Sequence, residues 1–205
     1  MKKKLFVVLV ILVSIAASAQ RFGVKGGINI ANMTGDDMDG AKSIVGFNVG
    51  GLAEFALSDK LYLQPELLLS MRGTSGDTEI EGVAATMDMK PIYIDIPVKL
   101  LYKINLNKGY LGIAAGPYVG IGVAGKVSMA ANGVSISYDL FKPIEGADEA
   151  VLNRFDFGLT AGVSYELNNG LFFGADFNAG LANVPNLDDV SVHNSVISIG
   201  LGYKF

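Results

Sequence analysis

The sequence predicts an all-β protein, an eight-stranded antiparallel up-and-down transmembrane β-barrel. Three observations carry that prediction: eight segments alternate apolar and polar residues with period two, the links between them alternate short and long, and the two faces suit different solvents. The last segment, S-V-I-S-I-G-L-G-Y-K-F, shows the pattern in one piece. It places Ile197, Ile199, Leu201, Tyr203 and Phe205 on one face and Val196, Ser198, Gly200, Gly202 and Lys204 on the other.

Before the first segment, Lys2, Lys3 and Lys4 precede a short apolar run at 5–15 and the small residues Ala17-Ser18-Ala19. This is the layout of a cleaved secretory signal peptide over 1–19. The run is well short of the roughly 20 apolar residues that a membrane-spanning helix needs. One barrel domain over 20–205 is then expected. Half of the residues are apolar and mean hydropathy is positive, yet no later segment is continuously apolar. Apolarity is therefore spread over short strands, and the 26 glycines fit many strands and turns. The absence of cysteine removes disulfide stapling and thiol chemistry together.

The segments run 21–31, 44–57, 61–72, 90–102, 110–124, 154–167, 171–181 and 195–205. In the first, Phe22, Val24, Ile28 and Ile30 oppose Arg21, Lys25 and Asn29; in the second, Val45, Phe47, Val49 and Phe55 oppose Asn48 and Glu54. The third sets Leu63, Leu67, Leu69 and Met71 against Gln64, Glu66 and Arg72, and the fourth sets Ile92 through Tyr102 at every second position against Asp95 and Lys99. Leu111, Ile113, Val119, Ile121 and Val123 oppose Tyr118 and several glycines in the fifth. The sixth opposes Phe155, Phe157, Leu159, Val163 and Tyr165 to Arg154, Asp156, Thr160 and Glu166, and the seventh opposes Leu171, Phe173 and Phe177 to Asp176 and Asn178. Most segments reach the roughly 9–11 residues that a tilted strand needs to cross a bilayer.

Short links at 58–60, 103–109 and 168–170 alternate with long ones at 32–43, 73–89, 125–153 and 182–194. Asn168-Asn169-Gly170 is a hairpin signal because Asn and Gly tolerate positive φ. Short periplasmic turns with long external loops are the outer-membrane arrangement, and an even strand count puts both termini on the periplasmic side. Location in the outer membrane of a Gram-negative bacterium follows.

The polar face carries Arg21, Lys25, Arg72, Lys99, Arg154 and Lys204 against Glu54, Glu66, Asp95, Asp156, Glu166 and Asp176. Six charges of each sign projecting into a narrow lumen are expected to form a charge-balanced polar lattice, because unpaired charge away from water is costly. A soluble eight-stranded barrel of the lipocalin kind would reverse this pattern, with apolar residues inside. Phe22, Phe55, Tyr102, Tyr165, Phe173, Tyr203 and Phe205 fall near the periplasmic strand ends on the apolar face, where an aromatic girdle is expected.

Five ordered motifs point further: Leu63-Gln64-Pro65-Glu66-Leu67-Leu68, Tyr93-Ile94-Asp95-Ile96-Pro97, Ala115-Gly116-Pro117-Tyr118-Val119-Gly120, Arg154-Phe155-Asp156-Phe157-Gly158 and Gly202-Tyr203-Lys204-Phe205. Together they resemble the outer-membrane β-barrel family of Bacteroidota, whose members are labelled porin-family or PorT-like. The resemblance covers the mature chain and implies an eight-stranded outer-membrane barrel. For the PorT-like members it also implies a link to secretion.

Function is less legible than location. General diffusion is disfavoured because eight strands enclose little more than their own side chains. A narrow pore or a secretion-system accessory barrel is the alternative. His193-x-Ser195 resembles the pair found in outer-membrane lipid A deacylases, since a spacing of two puts base and nucleophile on one strand face. No acidic residue follows Ser195 to orient the imidazole, so this hydrolase reading is remote, and no enzyme activity is expected. Asp36, Asp37 and Asp39 before Gly40 carry only part of a calcium-loop spacing. No metal or other cofactor is expected, and no nucleic-acid partner.

The long links are strongly acidic. A structural or surface-interaction role through these external loops has the best support. The stretch 134–141 is expected to extend two strands above the membrane, with Leu140 and Phe141 either docking a partner or capping the barrel mouth. Outer-membrane lipids and lipopolysaccharide, the barrel-assembly machinery during biogenesis and a protein partner at the loops are the expected contacts.

Overall fold

The computed structural model describes residues 21–35, 41–80, 83–132, 134–143, 150–185 and 191–205. The expected signal peptide lies outside the described residues, as do Asp36, Asp37 and Asp39. Ten strands follow one another, with no helix among the described residues: β1 (Arg21–Gly35), β2 (Lys42–Ala56), β3 (Leu61–Met71), β4 (Thr74–Ile80), β5 (Val83–Leu106), β6 (Gly109–Ala131), β7 (Val134–Asp139), β8 (Phe155–Leu167), β9 (Leu171–Gly180) and β10 (Val192–Lys204).

Eight of them close a ring in the order β1, β2, β3, β5, β6, β8, β9, β10 and back to β1, each pair antiparallel. The closing pair runs from Gly23 opposite Lys204 to Gly35 opposite Val192. Closure leaves the ring no open edge, and it is one of the two ways a backbone satisfies its hydrogen bonds inside a bilayer.

β5 and β6, at 24 and 23 residues, run well past the ring. Their upper halves pair with each other and with β4 and β7, making a four-stranded sheet above the barrel. The long links expected at 73–89 and 125–153 thus contain strands of their own. β4 follows β3 after a break at Gly73, whose φ of +134° lies in the region that strains any residue with a Cβ. A bulge between Ile92 and Tyr93 shifts the register of β5 against β6 at the base of this sheet.

One expected turn is shorter than anticipated. β5 continues through Leu106, so Lys103, placed by sequence in a turn over 103–109, belongs to the strand. The period of two persists there, with Tyr102, Ile104 and Leu106 outward and Lys103 buried. Along the ring the large apolar side chains face out, from Val24 and Ile28 to Ile199 and Leu201, while Glu54, Glu66, Asp95, Lys99 and Asp156 are buried within.

Candidate functional site

Alternation along each strand sends every second side chain into the lumen, and the ring brings charges from distant parts of the chain together in three levels. At the turn end, Lys103 Nζ donates to Glu54 Oε2 at 2.7 Å and to Glu166 Oε2 at 3.1 Å. Lys204 Nζ donates to Glu166 Oε2 at 3.0 Å and pairs with Glu54, and Arg21 pairs with Glu166. Aromatic faces cover these cations: Tyr62 lies 4.6 Å from Lys103 Nζ and Phe172 lies 4.8 Å from Lys204 Nζ. Such contacts stabilise a desolvated ammonium.

At mid-height, Lys25 Nζ donates to Glu66 Oε2 at 3.2 Å and Asp176 Oδ2 at 2.9 Å. Lys99 Nζ donates to Asp176 Oδ1 at 3.0 Å and pairs with Glu66, whose Oε1 also accepts from Gln64 Nε2 at 2.6 Å. Beside them Asn29 ties three strands, accepting at Oδ1 from Asn48 and Ser198 and donating from Nδ2 to Ser70 and Met71 O.

At the upper level, Arg72 bridges Asp95 and Asp156. Asp156 Oδ2 also accepts from Tyr118 Oη at 3.1 Å and Asn194 Nδ2 at 3.0 Å. The guanidinium lies over the rings of Tyr93 and Tyr118, at 4.7 and 5.3 Å from their centroids. Two cavities in the lumen, lined by described residues, have volumes of about 40 and 20 Å³. By the usual need of about 10–15 Å³ of such volume per water molecule, they hold only a few waters.

Above Arg72 the chemistry changes. Met33, Tyr93, Val127, Leu140, Phe141, Leu152, Val184 and Val192 form a buried apolar cluster in the external mouth. After β7 the chain turns inward and drops Phe141 over Gly122, where any Cβ would overlap the ring. Phe141 meets Tyr93 edge to face at 5.8 Å and 84°. Asp139 Oδ1 fixes the turn by accepting from Phe141 N at 2.9 Å, and that hydrogen bond, with Lys142 alongside, holds the Asp139 carboxyl below its ordinary pKa. Of the two fates open to Leu140 and Phe141, the structure takes the cap, since both are buried.

Eleven of the twelve residues expected in the interior lattice take part in these three levels. Arg154 does not: it is exposed at the external rim. It donates there to Gly122 O at 3.0 Å and Phe141 O at 2.8 Å, with its guanidinium 5.3 Å over the Phe141 ring. It sits one step before the strand proper, so its inward parity brings it to the mouth and not the lumen. Lys103 is the sixth lumen cation in its place, and the signal for it was the alternation running on to Leu106.

The aromatic set faces outward near the turn end. Phe22, Tyr102, Phe173, Tyr203 and Phe205 are exposed, whereas Phe55 and Tyr165 are half-buried. Tyr165 packs on Phe173 at 5.7 Å and Tyr203 on Phe205 at 6.0 Å. His193 and Ser195 do not form a base–nucleophile pair. The imidazole Nε2 contacts Ser191 Oγ at 3.1 Å and Nδ1 contacts Ala182 O at 2.8 Å.

A closed eight-strand ring with an apolar outside and an ion-paired inside defines a membrane-spanning β-barrel. The chain belongs to the family described as outer membrane protein beta-barrel domain, whose model matches residues 17–186. It is an outer-membrane protein of a Gram-negative bacterium, set among lipid and lipopolysaccharide. Similar solved structures include the attachment invasion locus protein Ail of Yersinia pestis, with 16% identity over 90% of this chain and 98% of that one and a TM-score of 0.49. Neisserial surface protein A is similar with 16% identity, 90% and 97% coverage and a TM-score of 0.48. OprG of Pseudomonas aeruginosa has 16% identity, 92% and 97% coverage and a TM-score of 0.40. No curated protein matches the chain.

Proposed function

We propose that the protein is a rigid, closed outer-membrane scaffold that acts through its external surface, without catalysis or general diffusion. What supports this reading is the set of three ion-paired levels in the lumen with the Leu140–Phe141 cap above them. An eight-stranded ring has little interior beyond such side chains. The engagement of His193 with Ser191 and Ala182 counts against the deacylase-like pair by drawing the imidazole away from Ser195.

The surface on offer is the sheet above the membrane. Val134, Ile136 and Tyr138 on β7 are exposed, opposite Ala131, Met129 and Val127 of β6. Within this reading the outward aromatics anchor the barrel at the periplasmic interface, the leader over 1–19 is cleaved on export, and the assembly machinery inserts the barrel. The resemblance of the five motifs supports reading it as one of the porin-family or PorT-like barrels of Bacteroidota.

In-cell photo-crosslinking from position 136 tests the surface role. An adduct of one discrete mass that disappears when Val134 and Tyr138 are changed to Ser supports it. Crosslinking to lipid alone sinks it.

A further inference from the structure

Above Tyr102 of the aromatic set, the outward apolar side chains of β5 run up to Ile92, with Ile94, Val98 and Leu100 exposed, while Ile104 and Leu106 continue below Tyr102 toward the turn. Ten residues at about 3.4 Å each span about 34 Å along the strand. A tilt of 35–45° reduces this to about 25 Å along the membrane normal, the height of a barrel's apolar belt. The next outward residue on β5 is Lys90, so it stands at the level of the outer-leaflet headgroups. On β1 and β2 the belt likewise gives way to polar residues, Ile30 to Asn32 and Val45 to Ser43.

Lys90 lies directly opposite Lys126 on β6, and both are exposed. Like charges in that relation repel. The neighbouring carboxylates offset this on the Lys90 side only. Asp88 accepts from Lys90 at 2.9 Å, and its carboxyl is held below its ordinary pKa by hydrogen bonds from Ser75 and Lys90. Asp139, opposite Lys126 on β7, is taken by Phe141 N and by Lys142 at 3.1 Å. Lys126 has no ion-pair partner among the described residues.

We propose that Lys90 and Lys126 clamp the phosphate of an outer-leaflet lipid headgroup, whose charge removes their mutual repulsion. Two ammonium groups at adjacent strand positions carry six donors, of which Lys90 gives one to Asp88, and present up to five to one phosphomonoester. The acyl chains of the same lipid then lie along Ile92, Ile94, Ile121 and Val123 below them. The clamp is independent of whether the lumen conducts.

Native mass spectrometry of the full chain in detergent tests the clamp, with diphosphoryl lipid A and its dephosphorylated form as probes. The wild type is expected to retain the phosphorylated probe preferentially. Lys90→Gln with Lys126→Gln is expected to weaken that retention roughly 25-fold, the product of two cationic contacts of the usual strength at an anionic membrane surface. Lys90→Arg with Lys126→Arg is expected to keep it. Heat-modifiable gel mobility verifies that each variant is folded. Equal retention of both probes, or unchanged retention in the double Gln variant, overturns the proposal. Displacement by millimolar inorganic phosphate also overturns it, because the site would then serve a free anion.

Discussion

The guanidinium of Arg72 lies 4.7 Å from the centroid of the Tyr93 ring, where the ion lattice of the lumen meets the apolar cap of its mouth. Arg72 also bridges Asp95 and Asp156, so at this level one cation serves two carboxylates. Tyr93 in turn carries Phe141 on its edge. Charge pairing below and packing above are thus linked through two side chains.

Removing Arg72 is expected to be the most damaging single change in the lumen. Arg72→Leu leaves two buried carboxylates uncompensated, a loss of about 3–5 kcal/mol. Asp95→Asn leaves the remaining pair neutral and is expected to cost much less. Urea unfolding in micelles followed by circular dichroism measures both, and equal losses would show that the level is not short of cation.

The turn-end level has the opposite imbalance, with Arg21, Lys103 and Lys204 facing Glu54 and Glu166 alone among the described residues. Glu54→Gln is therefore expected to destabilise by about 3 kcal/mol or more, whereas Lys103→Met brings the level to balance and costs less. The same unfolding measurement checks the order, and a larger loss for Lys103→Met contradicts it.

Gly122 leaves the space that Phe141 fills. Gly122→Ala is expected to cost about 1–3 kcal/mol by overpacking. In a Phe141→Ala background most of that penalty should vanish. A double-mutant cycle measures the coupling, and additive losses would place the ring elsewhere.

The Asp139 turn gives the cap a pH dependence. The Asp139 carboxyl is held below its ordinary value by the Phe141 N–H and Lys142. A depressed carboxyl contributes stability that is full above the unfolded value, about 4, and is lost as pH falls through the lower folded one. The Phe141 amide resonance is expected to titrate with a midpoint below about 4 and to stop titrating in Asp139→Asn. A midpoint above 4 would contradict the sign.

The eight ring strands were legible because alternation is a local property, and a strand between lipid and a charged lumen repeats it at every residue. Alternation assigns a face but not a height. Arg154 has inward parity and sits at the rim, while Lys103 has the same parity and sits in the lattice. The cap was legible only as one of two alternatives, since burial of Leu140 and Phe141 depends on a chain reversal after β7 that brings them to Tyr93 and Gly122. Asn194 escaped notice for the same reason: its partner Asp156 lies on β8, two strands away from β10 in the ring.

Planar-bilayer recording of the purified, heat-modifiable protein tests the closed lumen most directly. With three ion-paired levels and an apolar cap in the path, the membrane is expected to stay free of stable unit currents at either polarity. Large, reproducible current steps from the wild-type barrel would contradict that account.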